Sequence, residues 1–199
     1  MEPLEKTLQW YAEQADSYFE KTQNLEMSEL YRPFLQQLPS AAHILDLGCG
    51  SGRDSRAFLQ SGYRVTALDA SPALADRAAQ QIGQAVRRER MEQLEDGSIY
   101  HGIWACASLL HLGPATLPDT LSRLHRALLP NGICYVSFKY GSGERVEEGR
   151  YFTDANEQRL RQWLTATPAL ILQQSWISQD RVGNRRKLLW FNALLRRVN

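Results

Sequence analysis

Apolar residues recur at helical spacing through the N-terminal part of the chain. One set comprises Leu4, Leu8, Tyr11, Ala15 and Tyr18, and a second comprises Met27, Leu30, Tyr31, Phe34 and Leu38. Steps of mostly three or four residues place such side chains on one face of a helix. The spacing predicts two amphipathic helices, the second of which ends at Pro39, and we expect residues 1–40 to form a helical cap.

From residue 43 onwards, short apolar runs alternate with amphipathic segments. The apolar runs, which we interpret as strands, occupy residues 43–47, 63–68, 85–91, 102–108 and 133–139. Helical patterns occupy residues 72–82, 117–128 and the segment that ends at Leu164. Ser71 is the predicted N-cap of the first of these helices and Thr153 that of the last. The last two apolar runs, 169–177 and 188–195, are joined by a polar loop without a helix and predict an antiparallel hairpin.

This alternation predicts an α/β fold in a single domain that spans residues 1–199. Strands that alternate with helices form a parallel sheet with helices on both faces. We therefore expect residues 41–199 to form a doubly wound, mostly parallel sheet that ends in the antiparallel hairpin.

Composition and charge exclude several classes of protein. Lys and Arg total 23 and Asp and Glu total 22, so the net charge of +1 gives no general attraction to nucleic acid or to anionic membranes. Cys49, Cys106 and Cys134 lie far apart, without the spacing of a zinc site, which predicts reduced thiols and no metal centre. No apolar run is long enough to span a membrane and residues 1–10 lack the pattern of a secretory signal, so we expect a cytoplasmic protein.

The most informative stretch is ILDLGCGSGRD, residues 44–54. Gly48, Gly50 and Gly52 lie where a strand turns into a helix, so a ligand can approach the backbone closely there. The next strand ends at Asp69, whose carboxylate can accept hydrogen bonds from both hydroxyls of a ribose. A dinucleotide site is disfavoured because Arg53 replaces the third glycine of its pattern, and an ordinary tight turn remains the structural alternative.

With these motifs the sequence resembles the class I S-adenosylmethionine-dependent methyltransferases over nearly its whole length. The resemblance implies a Rossmann-like seven-stranded sheet, with ILDLGCGSGRD as the cofactor loop and LDAS, residues 68–71, as the ribose-binding strand end. MEQL, residues 91–94, is similar to the segment beside the adenine, and CASLLHL, residues 106–112, to the one below the methionine part. By position, the resemblance implies a cofactor site at Gly48, Gly50, Asp69, Ala70, Met91, Glu92 and Cys106. Many members of the family carry Asp where this chain has Arg90, and they often carry Phe-Asp where it has Tyr100-His101. The resemblance therefore implies the contacts to the adenine less directly than those to the ribose.

The resemblance also implies that the N-terminal segment folds over S-adenosylmethionine. Tyr11 and Tyr18 are seven residues apart and therefore share a helix face. A closing lid would exclude water and form part of the acceptor pocket. A permanently docked helix is the alternative.

The acceptor side of the site rests on fewer residues. His111 follows the fourth strand and is the candidate base, because imidazole ordinarily titrates near neutrality, although a structural role is an equal alternative. Lys139 and Tyr140 end the fifth strand, and Arg150 follows, so all three are candidates to bind an anionic or phenolic acceptor unless they simply face solvent. The pattern SFKYGSGE…GRYF resembles, more weakly, small bacterial methyltransferases related to tellurite-resistance proteins.

We therefore predict an S-adenosylmethionine-dependent methyltransferase that acts on a small molecule. An RNA methyltransferase is one alternative, because Arg87, Arg88 and Arg90 and the cluster 185–187 could touch RNA, although solvated charged faces are the simpler interpretation. A non-catalytic module that binds S-adenosylmethionine is a second alternative, and a nicotinamide-dependent oxidoreductase is a more distant one.

Overall fold

The computed structural model describes residues 3–182 and 188–199. Its helices are α1 Pro3–Glu13, α2 Ala15–Thr22, α3 Ser28–Leu35, α4 Arg53–Gln60, α5 Pro72–Ile82, α6 Leu117–Ala127 and α7 Glu157–Leu164. Its strands are β1 His43–Leu47, β2 Arg64–Asp69, β3 Arg87–Arg88, β4 Tyr100–Ala105, β5 Leu128–Lys139, β6 Glu144–Glu147, β7 Arg150–Thr153, β8 Leu170–Gln179 and β9 Leu189–Arg197. None of the helices in these ranges is long and apolar enough to cross a membrane.

Seven strands form one sheet in the order β3-β2-β1-β4-β5-β9-β8. The first five of these are parallel, and β9 pairs antiparallel with both β5 and β8. This arrangement confirms the predicted α/β fold with a mostly parallel, Rossmann-like sheet and a terminal antiparallel hairpin. The carboxyl ends of β1, β2, β4 and β5 meet at one edge, where ligands bind in open α/β sheets.

The central strands β1 and β4 are buried on both faces, which explains why their runs are mostly apolar. Ile44 and Trp104 pack in one hydrophobic cluster, whereas their neighbours Leu45 and Ile103 pack in the other. Successive side chains of a strand point to opposite faces, so one apolar run serves both cores.

Local signals explain where α5 begins and ends. Ser71 accepts a hydrogen bond from the Leu74 backbone N–H, and Pro72 follows it as the first helical residue. Gly83 then ends the helix with φ at +69°, which glycine adopts without strain.

The structure corrects several predicted boundaries. The third strand is only Arg87–Arg88 rather than residues 85–91. Thr153 does not cap a helix but ends β7, and Asn156 caps α7 by accepting a hydrogen bond from the Arg159 N–H. The hairpin of β6 and β7 was not predicted at all.

The N-terminal region contains three helices instead of two. The first predicted helix breaks at Gln14 into α1 and α2, and α3 ends at Leu35, before Pro39. The helix α1 packs against β7 and α5. One link is a hydrogen bond of 2.9 Å from the Tyr151 N–H to the Thr7 hydroxyl, which places this helix beside the carboxyl edge of the sheet.

Candidate active site

The glycine loop after β1 is held tightly against the next strand. The N–H groups of Gly48 and Cys49 both donate to the Leu68 carbonyl at 2.9 Å. Gly48 and Gly50 have φ of +75° and +56°, which side chains rarely tolerate. A Cβ on Gly48 would lie 2.7 Å from the Ser108 Cβ, so both the conformation and the space require glycine there.

Asp69 ties the end of β2 to this loop. Its two carboxylate oxygens accept hydrogen bonds from the Gly50 N–H at 2.9 Å and from the Ser71 N–H at 2.8 Å. Burial raises the pKa of Asp69, and the two N–H groups act in the opposite direction. Each oxygen keeps a further lone pair with which to accept a bond from a ligand.

A first cavity of about 60 Å³ lies above the glycine loop and Asp69. Eight of the predicted cofactor-binding residues line it, namely Tyr11, Tyr18, Gly48, Gly50, Asp69, Ala70, Met91 and Glu92. The Tyr18 ring closes the cavity, since its nearest atom is 3.2 Å from the position of a Cβ on Gly50. Cys106, the ninth predicted residue, instead lines a neighbouring second cavity.

Two polar residues, Ser108 and Arg90, are among those of the first cavity that sequence reasoning missed. Ser108 lines it, and its buried hydroxyl has no hydrogen-bond partner within the part of the chain that the structure describes. Arg90 lines it as well and forms ion pairs with Glu5 and Glu92. Ser108 lies within the CASLLHL stretch, which was the available signal for it.

His111 lies on a short 3-10 helix after β4 and faces both cavities. Its Nδ1 is 2.7 Å from the Tyr151 carbonyl, which can only accept, so Nδ1 carries the proton. Nε2 consequently accepts a hydrogen bond of 2.9 Å from the Tyr11 hydroxyl. Burial lowers the pKa of His111 to about 4, and the charges of Arg150 and Lys139 act in the same direction. The ring is therefore neutral at pH 7, which corrects the expectation that it titrates near neutrality.

The second cavity, of about 170 Å³, shares Tyr11, Tyr18 and His111 with the first. Lys139 reaches it from the end of β5 and is only 6% exposed. Arg150 reaches it from the start of β7. The structure thus brings two of the three predicted substrate-binding residues beside the candidate base.

Tyr140 is not part of this group. It is 51% exposed and lies beside a surface depression that includes Asn156 and Trp176. Successive residues of a strand point in opposite directions, so Lys139 and Tyr140 cannot both face the cavity. This corrects the prediction that placed Tyr140 with Lys139 and Arg150.

Arg53 is a further residue of the second cavity that the sequence did not indicate. Asp54 holds its guanidinium in place and also accepts hydrogen bonds from Tyr31 and Trp104. The neighbouring carboxyl of Asp46 accepts a bond from the Ser55 hydroxyl, and burial raises the pKa of Asp46 to about 8. These buried groups fix the start of α4 beneath the site.

Comparisons with known proteins agree with this geometry. Residues 44–132 match the family model of a methyltransferase domain. An uncharacterized methyltransferase of Synechocystis sp. is 37% identical over 92 residues, which are 45% of this chain and 43% of the relative. A malonyl-[acyl-carrier protein] O-methyltransferase of Salmonella typhimurium is 33% identical over 96 residues, which are 46% of this chain and 37% of the relative. The chain thus spans less than half the length of these curated relatives.

The fold is also similar to that of a solved methyltransferase. The 1,6-didemethyltoxoflavin-N1-methyltransferase of Burkholderia thailandensis, solved with 1,6-didemethyltoxoflavin and S-adenosylhomocysteine bound, superposes with a TM-score of 0.76. The alignment covers 98% of this chain and 87% of that protein at 24% identity.

Proposed function

We propose that this chain, a member of the class I S-adenosylmethionine-dependent methyltransferases, transfers a methyl group from S-adenosylmethionine to a small-molecule acceptor. The observation that carries the proposal is the pair of adjoining cavities, which meet at Tyr11, Tyr18 and His111. One cavity suits the cofactor and the other suits an acceptor.

The residues of the first cavity fit the cofactor chemically. Asp69 offers two acceptor oxygens to ribose hydroxyls, and the Met91 thioether is a polarizable surface for a base. The Ser108 hydroxyl, which has no partner among the described residues, supplies a polar group, and the glycine loop leaves room for close approach. When bound, S-adenosylmethionine supplies an electrophilic methyl group on a sulfonium, and the displaced electron pair stays with sulfur.

The cavity is closed by the N-terminal helices. Its volume of about 60 Å³ is far below the roughly 300 Å³ at which ligand pockets begin. Because the Tyr18 ring lies so close to Gly50, we expect Tyr18 and α2 to move when a cofactor of nucleoside size binds. This geometry supports the proposal that these helices act as a lid.

His111 and Tyr11 are proposed to handle the acceptor's proton. Nε2 of His111 holds the Tyr11 hydroxyl in place at the boundary between the cavities. A base whose pKa is about 4 accepts a proton only from a group that becomes strongly acidic on methylation, such as a hydroxyl oxygen. An acceptor that is already ionised needs no base, and His111 then only positions Tyr11.

The charges around residues 87–90 favour a small molecule over RNA. Each arginine of this segment pairs with carboxylates, Arg87 with Glu89 and Asp96, Arg88 with Asp76, and Arg90 with Glu5 and Glu92. Paired arginines have fewer donors left for phosphates. The second basic cluster, residues 185–187, lies outside the described residues.

The proposal is tested by incubating the protein with S-adenosylmethionine labelled in its methyl group and with a cell extract separated into small-molecule, RNA and protein fractions. We expect label in the small-molecule fraction. Label in RNA would favour the RNA methyltransferase, and binding without transfer to any fraction would favour a non-catalytic module.

Cofactor binding is checked separately by thermal unfolding. S-adenosylhomocysteine at a hundred times its dissociation constant adds about 2.7 kcal/mol to the free energy of unfolding, which raises Tm by roughly 5–10 °C. NAD is the matched control and should cause no shift. A larger shift with NAD would contradict the assignment.

A further inference from the structure

Positive charge is concentrated in the second cavity. Its lining includes four basic side chains, Arg53, Lys139, Arg150 and Arg181. Asp180 is the one acidic side chain among the described residues of the lining. The carboxylates that pair with these cations, among them Glu147 and Glu148, lie outside the lining. Each of the four cations pairs with a carboxylate outside the lining, but the lining itself holds more basic than acidic side chains, which favours a negatively charged occupant.

Lys139 is an unusual residue for this position because ammonium groups are rarely buried. Its Nζ is 2.9 Å from an oxygen of Glu147, whose side chain is itself 45% exposed. The same Nζ lies 3.9 Å from the centre of the Phe152 ring. Burial of a charge is costly unless it is well paired, so a second anion at Lys139 would add to the partial pairing by Glu147.

Arg150 has a donor that nothing in the described chain uses. Its guanidinium lies 4.1 Å from the Trp10 ring centre, and its Nη2 pairs with the exposed Glu148 at 3.0 Å. Its Nε is buried and has no hydrogen-bond partner among the described residues. Stacking holds the planar fork rigidly, and such a fork suits the two oxygens of a carboxylate.

We propose that the acceptor is a small acid, whose carboxylate or comparable anionic group is bound by Arg150 and Lys139. This inference rests on the proposed function and names the substrate class of the same site. Phe152, Trp190 and Leu110 line the rest of the cavity and suit an apolar or aromatic body.

The test compares benzoate with benzamide, an uncharged molecule of nearly the same shape. Calorimetric titrations are made with the protein alone and with the protein saturated with S-adenosylhomocysteine. Because charge-assisted hydrogen bonds are worth roughly 1.5–3 kcal/mol, benzoate should bind about tenfold to a hundredfold more tightly. Arg150→Gln should abolish this preference while S-adenosylhomocysteine still binds, which shows that the variant is folded.

Arg145→Gln is the matched control. Arg145 lies on the same hairpin and pairs with Glu147 and Asp154, but it does not line the cavity. The control variant should keep the preference for benzoate. Equal affinity for the two probes, no binding of benzoate, or a preference that survives Arg150→Gln would overturn the proposal. Failure of S-adenosylhomocysteine to bind the native protein would instead overturn the proposed function.

Discussion

The two cavities lie side by side but are built in different ways. The glycine loop and Asp69 of the first cavity come from consecutive elements, β1 and β2, and lie within the match to the methyltransferase domain at residues 44–132. Of the cations of the second cavity, Lys139, Arg150 and Arg181 lie beyond that match, whereas Arg53 lies within it. The second cavity also needs α1, α2 and β9, from opposite ends of the chain.

The difference lies in which chemical groups do the binding. The floor of the first cavity uses backbone N–H groups, positive φ values and one carboxylate, which a short stretch of sequence sets, while α1 and α2 cover it. The second uses side chains that meet only when distant segments pack. The loop of the first cavity is therefore visible in the sequence, whereas the side chains around the second are brought together only in the folded chain.

The largest expected effect is at the loop of the first cavity. Gly48→Ala adds backbone strain of about 1–2 kcal/mol and a collision with Ser108 worth about 1–3 kcal/mol. We expect the free energy of unfolding to fall by roughly 2–5 kcal/mol in urea titrations. Gly83→Ala is the control, because Gly83 has a similar φ but open space around it, and it should show the strain alone. Equal losses would mean that Ser108 does not confine the loop.

Acid should destabilise the protein through His111. Its pKa of about 4 in the folded state lies below the ordinary 6.5, so the unfolded chain binds the extra proton between these values. Stability is thus lost as pH falls from 6.5 to 4, by about 3 kcal/mol. Urea titrations across this range should show a smaller loss for His111→Gln. The control His125→Gln changes a less buried ring and should show most of the native loss of stability. If His111→Gln lost as much stability over this pH range as the native protein, the acid sensitivity could not be assigned to His111.

Hydrogen exchange tests whether α1 and α2 act as a lid over the first cavity. A ligand at a hundred times its dissociation constant adds about 2.7 kcal/mol, so amides that exchange through lid opening should slow about a hundredfold. We expect this for residues 8–22 with S-adenosylhomocysteine. Amides of α6 that exchange through local openings away from the cavity serve as the reference and should slow less. Equal exchange of residues 8–22 with and without ligand would identify a fixed scaffold.

Asp69→Asn tests the ribose contact. The amide keeps an acceptor oxygen but loses the charge, so affinity for S-adenosylhomocysteine should fall about tenfold to a hundredfold by calorimetry. Some loss of stability is expected too, because Asp69 also holds the N–H groups of Gly50 and Ser71. Asp76→Asn changes an exposed acid on α5 and should leave affinity unchanged. Unaltered binding by Asp69→Asn would place the ribose elsewhere.

The smallest effect is expected at the boundary between the cavities. Tyr11→Phe removes one hydrogen bond to His111, worth about 0.5–1.5 kcal/mol of unfolding free energy. The same variant should alter turnover more than affinity for S-adenosylhomocysteine once an acceptor is identified. Tyr63→Phe, at a tyrosine outside both cavities, is the control. Native turnover in Tyr11→Phe would show that the hydroxyl has no part in proton transfer.

The fold was predictable because its signals are local. The apolar runs, the Ser71 cap and the helix-ending Gly83 each act within a few residues, and the polar loop without a helix indicated the β8–β9 hairpin. The β6–β7 hairpin was not predicted, because three of the four residues of β6 are charged and the strand therefore lacks the alternation of apolar and polar residues. Thr153 was misread as a cap for the same reason, since its strand was not recognised.

The sequence by itself determined the glycine loop and the carboxylate of the first cavity, because positive φ values at Gly48 and Gly50 and a carboxylate after the next strand are properties of short segments. Only the tertiary structure decided how α1 and α2 cover that cavity and which side chains form the second. It buried Lys139, left Tyr140 in solvent, and placed Cys106 in the lining of the second cavity. It also set the protonation of His111, because burial depends on every segment packed around the ring and not on its neighbours in the chain.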